Sequence, residues 1–183
     1  MSYDINLVRV KEGEDPYEVA TNDEDFDREK PYDPEKEAMK RRTADALVAK
    51  FPNLEVFEVD DEDIAAELNI SVEEAKRRSR HIELNNDAAG VQIHLDDDEA
   101  GVSIAYWHNG DKAREVFREV WDYLRIIQRE TGFVAFDPQQ GEILVLSQGY
   151  AAAVDAFAGG MVNVQRVIDD LNQPKKKPWW KFW

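Results

Sequence analysis

Between Ile82 and Trp107 the apolar residues recur at every second position. Ile82 and Leu84, then Val91, Ile93 and Leu95, then Val102, Ile104 and Tyr106 are separated by turns rich in Asn, Asp and Gly. Side chains that alternate between two faces give this period, which predicts three consecutive strands joined by short connections. The period then changes. Val116, Phe117, Val120, Trp121, Leu124 and Ile127 form one stripe over Lys112–Glu130, while Arg114, Arg118, Asp122 and Arg125 fall largely off it. That is the pattern of an amphipathic helix, closed here by Thr131-Gly132. A strand meander with an apolar face and a helix with an apolar stripe bury both by packing on each other. The chain is thereby restricted to an α+β fold, a mostly antiparallel sheet with helices packed on one face.

The flanking segments fit the same frame. Tyr3, Ile5 and Leu7 alternate with Val8 and Val10 supplying the other face, so residues 3–10 read as a strand that needs a place inside the sheet to stay ordered. Asp33-Pro34 predicts a helix start, N-cap then first helical position, running to about Lys50 with Ala38, Leu47, Val48 and Phe51 among its apolar positions and Pro52 ending it. Two shorter helices follow near Asp61–Leu68 and Ser71–Arg80, the second opened by a Ser71/Glu74 capping box. Residues 132–136 and 142–146 read as a hairpin turning through Asp137-Pro138-Gln139-Gln140-Gly141. A last helical region, Tyr150–Leu171, is weakened in its middle by Gly159-Gly160. The organisation expected is one α+β domain over 1–173, with an acidic loop at 12–35 and a separate tail at 174–183.

Charge is distributed unevenly over this frame. The 183 residues carry 23 Lys and Arg against 39 Asp and Glu, a formal net charge of −16. The final nine residues oppose this, with four lysines, three tryptophans, one phenylalanine and no acid. Residues 12–35, 55–63 and 96–99 hold most of the acidity. A surface of this sign attracts cationic partners and repels polyanions. No cysteine is present, which excludes disulfides, thiolate metal ligation and thiol catalysis. No apolar run reaches the ~18–20 residues that span a bilayer, and the N-terminus lacks a signal-peptide pattern, so the cytoplasm is the expected location.

Candidate sites are few. His81, His94 and His108 all fall at or near the central strands, close to Asp96, Asp97, Asp98 and Glu99. Two imidazoles and a carboxylate on adjacent strands suit zinc or iron, although no HxH or HExxH spacing fixes the geometry. Asp96–Glu99 lacks the alternating ligand pattern of a calcium loop and reads as a solvated turn. Residues 63–80 resemble a helix-turn-helix, in which the second helix would read a DNA groove. Here Asn69 stands where Gly is preferred, Ala75 where a larger aliphatic locks the helices, and Asp60–Asp63, Glu73 and Glu74 oppose a phosphate backbone. Trp107, at a strand end before Asn109-Gly110, suits a binding anchor or a strand buried on both faces, and burial is the expectation. Ser103 and Ser147 lack a nucleophile-elbow context, and there is no Gly-rich phosphate loop, so no catalytic residue and no cofactor are assigned. The Lys- and Trp-rich tail has the composition of a membrane-interface contact, or of a segment that docks on an acidic surface.

The Met1-Ser2-Tyr3-Asp4 start, the block His81-Ile82-Glu83-Leu84-Asn85, and Gly132-Phe133-Val134-Ala135-Phe136-Asp137-Pro138-Gln139 with Gly141 together resemble a family of uncharacterised bacterial proteins over most of residues 1–147. That resemblance implies no activity. In size, acidity and absence of cysteine the chain is also similar to immunity proteins that block secreted toxins, which implies a non-enzymatic inhibitor. The leading expectation is therefore an acidic protein-binding module for a basic partner, with Asp23, Glu24, Asp25, Asp27, Asp60, Asp61, Glu62, Asp63 and Trp107 as contact residues. The alternatives are a metal-dependent protein built on the histidines, and nucleic-acid binding through the helix pair.

Overall fold

The computed structural model describes residues 2–21, 32–57, 61–78 and 80–160. The tail at 174–183 and the expected contacts Asp23, Glu24, Asp25, Asp27 and Asp60 lie outside the described residues. In chain order the elements are β1 (Ser2–Val8), α1 (Pro16–Thr21), α2 (Pro34–Lys50), β2 (Glu55–Phe57), α3 (Asp61–Leu68), α4 (Val72–Arg78), β3 (Ile82–Asn86), β4 (Val91–Leu95), β5 (Glu99–Ala105), α5 (Gly110–Thr131), β6 (Val134–Asp137) and β7 (Glu142–Ile143), then a 3-10 turn at Leu146–Gln148. A further helix, α6, occupies 151–160. The seven strands form one sheet in the order β2-β3-β4-β5-β1-β6-β7, antiparallel throughout. This is an α+β fold.

Register turns the alternation of the sequence into rows. Tyr3 pairs with Ile104 and Ile104 with Val91; Ile5 pairs with Val102, Val102 with Ile93 and Ile93 with Leu84; Leu7 pairs with Ala100 and Ala100 with Leu95. All of these are buried on one face. The α5 stripe lies over them, with Val116, Phe117, Val120, Trp121, Leu124 and Ile127 buried, and α2 packs beside it through Met39, Ala44 and Leu47. Each large side chain removed from water in this way contributes about 1.5–3 kcal/mol. Tyr3, Phe117 and Phe157 of α6 meet edge-to-face with ring centroids 5.1–5.9 Å apart, so α6 joins the same layer. Gly159 and Gly160 are the last described residues of α6, and residues 161–171 of the expected helical region lie outside the described residues; a side chain at Gly160 would meet the Tyr106 hydroxyl.

Local chemistry sets the element ends. Asp33 accepts the backbone N–H groups of Glu35 and Lys36, and Pro34 opens α2. Asn69 sits at φ 53°, and the Ile70 N–H reaches the Ala65 carbonyl at 3.0 Å. That is a left-handed helix stop, in which Asn is the best-tolerated residue after Gly. Ser71 then accepts the Glu74 N–H and starts α4, with Ala65 and Ala75 buried between the helices. In the β6–β7 turn the fully buried Asp137 accepts the backbone N–H groups of Gln139 and Gln140, and the Tyr3 hydroxyl donates to its other oxygen. Burial and the Asp137 carboxylate both hold the Tyr3 phenol far above its ordinary range.

Three features depart from the sequence reading. β2 is an additional edge strand inside the acidic run at 55–63. β7 is only two residues long. The Leu146 carbonyl accepts from the Trp121 indole at 3.0 Å and the Arg125 guanidinium at 2.8 Å, which draws the chain away from the ladder. The turn at 96–98 is also not simply solvated, as described below. Among the described residues no helix is long and apolar enough to cross a membrane.

Candidate functional site

Helices cover one face of the sheet; on the other most strand side chains are half-buried and polar, and Gln92 is exposed. Period two places Ser2, Asp4 and Asn6 of β1, Glu83 and Asn85 of β3, Gln92 and His94 of β4, and Glu99, Gly101, Ser103 and Ala105 of β5 on that second face. Among the described residues α1 covers its β6 side, where Tyr17 packs edge-on against Phe136 at 5.8 Å. None of the seven strands contains a lysine or arginine. The described cations sit instead on α2, α4 and α5 and in the connections, so the acids of the open face meet no cation from a neighbouring strand. Polar groups tie this face together: Glu83 accepts from both Asn85 and Gln92 at 2.8 Å, and Asp4 accepts from the Ser2 hydroxyl at 2.9 Å.

Trp107 stands at the end of this face and is 62% exposed, contrary to the burial expected of it. It lies on the same side as Ser103 and Ala105, while Tyr106 stacks on Phe157 of the helical layer, and the indole rests on the β3–β4 turn. There Gly90 has φ +57°, and a Cβ on it would lie 2.1 Å from the indole. The indole N–H donates to His108 Nε2 at 2.8 Å, which also lies 2.8 Å from the Ala89 carbonyl. Trp107 thus rims a shallow concavity of about 400 Å³ floored by Asn85, Gln92, Ser103 and Ala105. A second cavity of about 650 Å³ lies at the other end of the sheet between α2, β2, α3 and α4, where Arg41, Phe57, Asp61, Lys76 and His81 line it.

The three histidines separate. His108 belongs to the Trp107 corner. His94 lies over Gly101, its Cε1 only 2.0 Å from where a Cβ would sit, and groups with Asp96 and Glu99. His81 precedes β3 and acts electrostatically on Asp96. A site using all three imidazoles is therefore not formed. Asp61, Glu62 and Asp63 occupy the first turn of α3, where negative charge is favourable. Asp61 lines the 650 Å³ cavity, so the acidic contacts expected there and Trp107 belong to different cavities.

The acidic turn after β4 is sorted by side. Asp97 binds the Lys40 ammonium at 2.8 Å, and Asp98 binds Arg9 at 2.8 Å and Lys36 at 2.7 Å. Lys40 is 1% exposed and is also bound by Glu37 at 2.6 Å and by the Arg80 carbonyl at 2.7 Å. These two acids fasten the β4–β5 hairpin to α2 and to the chain following β1. Asp96 stays on the open side, and burial raises its pKa against the opposing pull of His94, His81 and Lys40. The sequence carried a signal for this clamp in the Lys and Arg spacing of α2, but nothing in it paired those cations with this turn.

Comparison of the chain with family models, curated proteins and solved structures found no match. The geometry itself defines a class: an α+β protein with a seven-stranded antiparallel sheet, helical on one face and polar and acidic on the other.

Proposed function

We propose that the chain is a non-enzymatic binding module that takes a basic protein partner on the open face of its sheet, in the manner of an immunity-type inhibitor acting in the cytoplasm. The observation that carries this reading is the exposed Trp107 beside a strand surface that bears Asp4, Glu83 and Glu99 and no lysine or arginine. A half-exposed indole held against backbone loses little freedom on docking and suits a central anchor. Acids around it steer a cationic surface toward the anchor and exclude anionic ones. Nucleic-acid binding through 63–80 has less support, because acids occupy the first turns of both α3 and α4.

The test is affinity capture from host cells at low ionic strength with wild type, Trp107→Ala and Glu83→Lys in parallel. A basic protein retained by wild type, released by salt and lost from both variants is the expected result. A wild type that captures nothing, or a capture indifferent to both substitutions, overturns the reading.

A further inference from the structure

We infer that His94, Asp96 and Glu99 form a binding site for a divalent transition metal, with His81 positioned to complete the set. The inference stands independently of partner binding. The donor atoms of His94, Asp96 and Glu99 lie within 4.8 Å of one another. Neighbouring ligands of a tetrahedral ion bound at about 2.0–2.2 Å are about 3.3–3.6 Å apart, so side-chain rotations that bring the donors closer by about 1 Å seat the ion.

The β4–β5 hairpin builds this arrangement. Period two puts His94 and Asp96 on the open face, and pairing puts Gly101 across from His94. The Asp96 N–H to Glu99 carbonyl bond of 2.9 Å sets Asp96 against Glu99. Only a glycine at 101 lets the imidazole lie across β5. Ile82 pairs with Leu95, so His81, one residue earlier, extends that register to Asp96. Meanwhile Asp97 and Asp98 are held on the opposite side by Lys40, Arg9 and Lys36, which fixes the turn whether or not a metal is bound. The Asp96 side chain is partly buried beside the His94 imidazole. A partly desolvated carboxylate gains more from a cation than a solvated one does.

Donor chemistry selects the class of ion. One or two imidazole nitrogens with two carboxylates suit zinc, manganese or ferrous iron; calcium asks for six to eight oxygens, and the chain has no thiolate to favour copper(I).

The test is titration of chelator-stripped full-length protein with zinc chloride by calorimetry, together with histidine side-chain NMR of the wild type. A single saturable equivalent that shifts the His94 resonances and leaves those of His108 in place is expected. His94→Ala and Asp96→Asn each weaken binding by more than about tenfold, the loss that even a supporting residue costs a metal site, while His108→Ala leaves it unchanged. Absence of stoichiometric uptake, zinc shifts centred on His108, or affinity unaffected by the Asp96 substitution overturns the assignment. The NMR measurement needs no variant, so a substitution that impairs folding does not blunt the test.

Discussion

Replacing Lys40 by Met tests the electrostatic clamp directly. Methionine keeps the unbranched stem and most of the volume, so little cavity is created and the loss is that of the ammonium. That ammonium is 1% exposed and makes three contacts, to Glu37 at 2.6 Å, Asp97 at 2.8 Å and the Arg80 carbonyl at 2.7 Å. Removing it leaves two largely buried carboxylates and a carbonyl without their shared donor. Breaking a buried pair from one side costs about 3–5 kcal/mol, most of it the charge left behind. For a domain of this length 1 kcal/mol moves the midpoint by about 2–4 °C, so the thermal transition falls by roughly 6–20 °C. Urea unfolding followed by far-UV circular dichroism measures the change, with an unaltered m-value showing that the folded state is otherwise the same. Lys40→Met combined with Asp97→Asn removes one stranded charge, so the double variant is more stable than the sum of the singles by roughly 1–3 kcal/mol. A loss in Lys40→Met below about 1 kcal/mol, the worth of an exposed pair, refutes the argument.

Gly90→Ala forces a side chain onto φ +57°, a backbone cost of about 1–2 kcal/mol, and displaces the Trp107 ring from the turn that holds it; urea unfolding and increased acrylamide quenching of tryptophan report the two effects. Tyr3→Phe withdraws the hydroxyl that donates to buried Asp137, and equilibrium unfolding is expected to record a loss of about 1–3 kcal/mol. The Arg129 hydrogen bond, aided by Arg42, holds the Glu130 carboxyl below its ordinary value of 4.5. A lowered folded value means stability that is present above 4.5 and fades as pH falls through the folded value. Glu130→Gln is therefore less stable than wild type near neutrality and equal to it in strong acid, as thermal melts across pH will show. Asn69→Ala costs about 1 kcal/mol at φ 53°, whereas Asn69→Gly costs nothing measurable in the same melts.

The strands and α5 are legible in the sequence because each buries one face only, and alternation or a helical stripe records that directly. Helix α2 is legible in its cap but only in part in its packing face. Leu47 is buried and Val48 and Phe51 pack against the core as their type suggests, but Ala38 is exposed and the buried positions include Lys40 and Thr43, which the apolar pattern does not mark. β2 leaves no alternation because all three of its residues are exposed at a sheet edge. Leu144-Val145-Leu146 looks like a strand by composition, yet side chains of α5 claim the Leu146 carbonyl, an interaction between segments that no local pattern encodes.

The acidic runs make the same point about function. In sequence, Asp61-Glu62-Asp63 and Asp96-Asp97-Asp98-Glu99 are equivalent clusters of negative charge. In the fold they have different roles, because charge acts through what faces it. The first run sits on the positive end of α3. The second is divided by the hairpin: Asp97 and Asp98 neutralise cations of α2 and Arg9, while Asp96 and Glu99 turn to a surface whose strands supply no cation. The net charge therefore overstates what the second run offers a partner and understates the open face. The absence of lysine and arginine from every strand is visible once the strands are drawn. Only the order β3-β4-β5-β1 gathers Glu83, Asp96, Glu99 and Asp4 on one side with Trp107 at its end. A partner, or a metal, that recognises this protein is thus expected to recognise a sheet face assembled from four strands rather than any acidic segment of the chain.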